Sequence, residues 1–96
     1  MAEKKELDPN LVRVGKMLIK KRKSLGEAYK AREEFIYNRQ NEIFGGEDWI
    51  SYRHLINIEL GKNWISIEKL ILLAAALEED PVDLFRDIYY EYIRKE

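Results

Sequence analysis

The sequence predicts an all-α domain of five helices, with two short helices meeting across a five-residue turn near its middle and an extended C-terminal helix. Three observations carry that expectation. Apolar residues recur at three- and four-residue spacing through most of the chain, the period of a helix that buries one face. Asp8-Pro9 and Asp80-Pro81 each set a capping carboxylate before a proline at the first helical position, where the missing N–H costs nothing. Ile58-Glu59-Leu60-Gly61 ends a short helix on a residue free to turn left-handed, and Ser66-Ile67-Glu68 starts the next on a hydroxyl cap.

Each element then follows in chain order. Residues 1–7 are charged and aperiodic, which predicts a flexible arm, and 8–87 form the helical domain. Helix one opens at Asp8-Pro9, buries Leu11, Val14, Gly15 and Leu18, and ends near Lys23 before Ser24-Leu25-Gly26. Helix two fits Glu27 to about Arg39, with Ala28, Ala31, Phe35 and Ile36 inward. Asn41 to Asp48 reads as a loop because Gly45-Gly46 breaks any helix, with Ile43 and Phe44 pinning it to the core. Ser51 caps helix three, Tyr52 to Leu60, which buries Leu55, Ile56 and Ile58. Helix four, Ile67 to Glu78, centres the domain on Leu70, Ile71, Leu73, Ala74 and Leu77. Helix five carries Leu84, Phe85, Ile88, Tyr89, Tyr92 and Ile93, a stripe longer than one small core needs. Its end, 88–96, is therefore a candidate dimerisation segment.

Composition narrows the function. A chain of 96 residues holds one core. It has no cysteine and one histidine, so neither a disulfide nor a metal site is expected. The longest apolar run, Leu70 to Leu77, is too short for a bilayer, and no secretory signal opens the chain; a cytoplasmic protein with no membrane contact is expected. A net charge of −1 argues against a general polyanion binder, but the charge is unevenly placed. Arg13, Lys16, Lys20, Lys21, Arg22 and Lys23 crowd helix one, while acidic residues dominate from Glu78 onward. No nucleophile, base or phosphate loop forms a catalytic constellation, so an enzyme is not expected and no cofactor is called for.

The order of Val14-Gly15, Arg22, Ile50-Ser51, Leu55, Ile58-Glu59, Gly61, Ser66, Leu73-Ala74, Ala76-Leu77 and Leu84-Phe85 resembles the Cro/repressor-type (XRE class) helix-turn-helix regulators of bacteria and phages. The resemblance spans Val14 to Phe85 and implies a repressor-like domain whose third helix enters the major groove while the second lies across its entrance. Residues 24–48 exceed the family's length and replace its tight turn with a longer second helix and a loop.

Tyr52, Arg53, His54 and Asn57 match the family's base-reading positions; arginine can bond guanine bidentately, and asparagine adenine. With Ser51, Lys62 and Asn63 they make the candidate DNA-binding set, and Lys30, Arg32, Asn38, Arg39 and Gln40 are further candidates near helix two. Arg22 and Glu59 match a paired arginine and glutamate that lock the angle between helices. Trp64 reads as a lid over the core, with contact to the DNA backbone as the alternative. The function these expectations describe is a sequence-specific duplex DNA-binding repressor, a homodimer on an inverted-repeat operator. The rival is a protein-interaction module, an antitoxin or assembly partner on the same fold.

Overall fold

A computed structural model describes residues 7–94; residues 1–6 of the predicted arm, with Lys95 and Glu96, lie outside the described residues. Five α-helices follow one another: α1 (Pro9–Lys23), α2 (Arg32–Glu42), α3 (Tyr52–Glu59), α4 (Ile67–Ala76) and α5 (Pro81–Ile93). No strand occurs among the described residues. Local chemistry sets four of the five starts. Asp8, Ser51, Ser66 and Asp80 sit in extended backbone and accept the amide hydrogens of the first turn of α1, α3, α4 and α5, each bond satisfying a donor the helix cannot.

Helix α1 is the hub, packed against α3 on one side and α5 on the other, with α4 on α5 and α2 on α3. The approach of α1 to α3 is close enough that a Cβ on Gly15 would stand 2.2 Å from the carbonyl oxygen of Glu59. Leu11, Val14, Leu18, Phe35, Leu55, Ile58, Leu73 and Leu84 fill the centre.

Several details differ from the expectation. Helix two does not start at Glu27. Glu27–Tyr29 is a single 3₁₀ turn, Ala31 is extended, and α2 begins at Arg32. The Arg22 guanidinium takes the carbonyls of Tyr29 (3.0 Å) and Lys30, drawing both out of helical pairing and leaving Ala28 and Ala31 exposed. At its other end α2 continues to Glu42 because Gly45-Gly46 comes late enough to allow one more turn. Ile71, expected in the core, is exposed, and Ile56 is only half-buried.

The C-terminal stretch of α5 folds back on its own domain. The Arg13 side chain donates to the carbonyls of Glu91 (3.2 Å), Tyr92 (3.4 Å) and Arg94 (2.7 Å), capping the helix end from α1. The Tyr92 hydroxyl donates to Asp8 Oδ2 at 2.6 Å, a bond that holds the Asp8 carboxyl below its ordinary pKa and the Tyr92 phenol above its own. Of the expected dimer stripe, Ile88 is buried and Tyr92 is thus occupied; Phe85, Tyr89 and Ile93 remain about half-exposed.

Candidate nucleic-acid interface

The candidate surface is built on α3. Ser51 Oγ accepts from the His54 amide at 3.0 Å, so the helix starts at Tyr52 and its register is set. That register turns Leu55, Ile58 and Glu59 inward and Tyr52 and Arg53 outward. His54 and Asn57, expected on the exposed face, are only half-exposed, and His54 Nε2 is buried with no hydrogen-bond partner. After Leu60 the chain turns at Gly61 (φ 77°), leaving Lys62 and Asn63 in solvent before Ser66 caps α4.

Beneath this face lies a buried charge cluster. Arg22 and Glu59 are 2% and 3% exposed, and the guanidinium binds the carboxylate through two parallel bonds, Nε to Oε2 (2.8 Å) and Nη2 to Oε1 (3.0 Å). Arg32, at the first position of α2, adds a bond to Oε1 at 2.6 Å. One carboxylate at the end of α3 thereby ties α1 and α2 together. Two charges buried in this way cost desolvation that their attraction only partly offsets, so the cluster's contribution is a fixed angle between helices more than net stability.

Arg32 and Arg39, both candidates for DNA contact, are thus used internally. Arg39 is buried, its guanidinium 4.3 Å from the Tyr29 ring centre and paired with Glu42 (3.1 Å) and Glu78 (2.5 Å). Asn38 donates to the Ala28 carbonyl and Gln40 to that of Gly46, and Lys30 pairs with Glu27. Helical periodicity sets Lys30 and Asn38 on an outward face but carries no sign of the groups that bind them.

The loop between α2 and α3 is pinned by aromatic contacts. Phe44 stacks on Trp49 (4.9 Å between ring centres), Phe35 meets Trp49 edge-on (5.7 Å), and the indole N–H donates to the Ile36 carbonyl. Exposed Glu47 and Asp48 stand on this loop just before α3. Lys69 reaches across from α4 to the Trp49 carbonyl (2.7 Å). A cleft of about 330 Å³ opens beside α3, with Tyr52, Lys23, Lys30 and Glu33 in its walls and the start of α2 at its base. Ala31 offers that helix start no side-chain cap.

Trp64 lies outside this face. More than half exposed, it tilts against Tyr92 (4.8 Å) over an apolar cleft between α4 and α5. Among the described residues no cluster of carboxylates and histidine could hold a metal, and no helix is long and apolar enough to cross a membrane. Compared with protein-family models, curated proteins and solved structures, the chain matches none.

Proposed function

We propose that this chain binds duplex DNA sequence-specifically as a pair of copies, with α3 in the major groove, and represses transcription by occupying an inverted-repeat operator. The observation that supports it is which cations are free. Arg22, Arg32, Arg39, Lys21 and Lys30 are spent in ion pairs, whereas Arg53 on α3, Lys62 after it and Lys23 beside the cleft have no carboxylate partner among the described residues, and neither do Lys16 and Lys20 on α1. In this reading Arg53 reads a base edge with Tyr52, Asn57 and His54 beside it, Lys62, Asn63 and the Ser51 end of α3 hold phosphates, and the uncapped start of α2 takes another.

Selection from random duplexes tests it. An enriched inverted repeat with half-sites one helical turn, ~34 Å, apart is the expected result. Arg53→Ala should weaken the selected site by ~1–3 kcal/mol and relax one base pair of each half-site, while Lys62→Ala should weaken all sequences alike and reduce the salt slope by about one. No enriched repeat, or unchanged preference in Arg53→Ala, overturns the proposal.

The second reading, a protein-interaction module, is favoured by two features: acidic Glu47 and Asp48 flank the start of α3, and α4 and α5 carry a broad exposed apolar face. A module of that kind would show little affinity for mixed-sequence DNA and no steep salt dependence.

A further inference from the structure

Most of the large apolar side chains left exposed by this fold gather on one side. On α5, Val82, Phe85, Tyr89 and Ile93 follow at three- and four-residue steps and so share a face. On α4, Ile67 and Ile71 are one turn apart, and Ile67, 74% exposed, is the most exposed large apolar side chain among the described residues. A cleft of about 90 Å³ joins the two helices. Leu11, Val14 and Ile88 form its buried floor, and Trp64, Ile67 and Phe85 stand around its mouth. The charged residues beside it on α5, Asp83 and Arg86, neutralise one another at 3.0 Å.

Area argues for what covers this face. With ~150–250 Å² for each buried aromatic, half-exposed Trp64, Phe85 and Tyr89 together with Ile67, Ile71, Val82 and Ile93 offer on the order of 700 Å². That exceeds the ~300–600 Å² of the largest apolar patch on a typical monomer and approaches the ~800 Å² each partner contributes to a standard interface. Shape argues for the same occupant. A two-fold interface must be complementary to itself, so it needs a hole and projecting side chains on one surface, and this face has both.

We propose that a second copy of this chain docks on the α4–α5 face about a two-fold axis, Ile67 and Phe85 of each copy closing over the cleft of the other. The interface is centred on the cleft and not on the last turns of α5, where Arg13 of α1 already holds the carbonyls of Glu91, Tyr92 and Arg94. The inference rests on the pairing assumed in the DNA reading and names the surface that performs it.

Sedimentation of the full chain tests it, with Ile67→Glu as the decisive variant. Ile67 is the first residue of α4, where a carboxylate favours the helix, so the substitution leaves the fold intact while placing two charges in the interface. The parent should sediment as a dimer and Ile67→Glu as a monomer with unchanged helical content. Val82→Arg should behave likewise, and Tyr37→Glu, an equally exposed ring on α2, should remain dimeric. Dilution should shift the emission of Trp64 to the red, and the shift should vanish in Trp64→Phe. A parent that is monomeric up to its solubility limit overturns the proposal, as does a dimer that survives both Ile67→Glu and Val82→Arg. A dimer broken by these variants in a chain that selects no DNA site would support this interface and remove the DNA reading, so the two fail separately.

Discussion

Helices α3 and α4 end in the same hydrogen-bond pattern on different residues. At the end of α3 the Lys62 amide returns to the Asn57 carbonyl (2.8 Å) and the Gly61 amide to Ile58 (3.1 Å); at the end of α4, Glu79 returns to Ala74 (2.9 Å) and Glu78 to Ala75 (3.1 Å). Both turns put their central residue in left-handed backbone, φ 77° at Gly61 and φ 61° at Glu78. That conformation costs a side-chain-bearing residue ~1 kcal/mol, which glycine avoids. At 78 the glutamate carboxylate reaches buried Arg39. At 61 a second constraint joins the backbone conformation: a Cβ there would lie 2.6 Å from the Val12 Cα. One turn is thus shaped by what it must not touch. The other is shaped by what it must hold.

The sharpest way to break this comparison is to fill the glycine. Gly61→Ala combines left-handed strain with a backbone clash against α1 and should cost ~2–4 kcal/mol in denaturant unfolding. Gly15→Ala probes the same α1–α3 contact from the other side. A mid-helix glycine-to-alanine change ordinarily stabilises by ~1 kcal/mol, but here the methyl would drive into the Glu59 carbonyl, so the sign should invert. A stabilised Gly15→Ala protein would mean the two helices are not held in this contact.

At Glu78 the same chemistry should separate into two smaller parts. Glu78→Ala keeps the backbone strain and removes an anion from buried Arg39, for a loss of ~1–2 kcal/mol limited by the pair Arg39 keeps with Glu42. Glu78→Gly removes the same anion but also the strain, so it should lie ~1 kcal/mol above the alanine variant. Equal stabilities for the two variants would show that residue 78 is not left-handed in solution.

What could be read from the chain divides along the same line as these turns. Caps are local, and Asp8, Ser51, Ser66 and Asp80 mark their helix starts from adjacent residues alone. Gly61 is legible for the same reason. Glu78 is not, because a glutamate gives no local sign that Arg39, far away in sequence, will hold it in an unfavoured conformation. The start of α2 is not legible either, because the group that breaks it is Arg22, on another helix. Periodicity locates the stripes on α4 and α5 but not which members face solvent, so Ile71 reads as core and yet stands exposed. For the candidate site, the caps place Tyr52 to Asn63 on α3 and its turn. A count of basic residues could not tell spent cations from free ones, since Arg32 and Arg39 look as available as Arg53 until their partners are known.

The smallest effect belongs to the residues that follow each turn. Lys62 is exposed with no partner among the described residues, whereas Glu79 pairs with Lys21 of α1 (2.9 Å), which also holds Asp87 of α5 (2.8 Å). Lys62→Ala should leave stability unchanged to within ~0.5 kcal/mol. Glu79→Ala should lose about 0.5 kcal/mol, a small sum because the pair is partly solvated and Lys21 retains Asp87. The two should also differ with pH. Burial alone would lower the Lys21 pKa, but the bonds to Asp87 and Glu79 outweigh it and raise it above the ordinary 10.5. Stability from a raised lysine is present in full below the unfolded value and fades as pH rises through the folded one. Removing Glu79 should therefore make the alkaline fall smaller and end it at lower pH, while removing Lys62 should not change it. Unfolding curves at neutral and alkaline pH decide the matter: if Lys62→Ala costs as much as Glu79→Ala, or shifts the alkaline fall, the α3 turn is tied inward like its counterpart and Lys62 is not free for a partner.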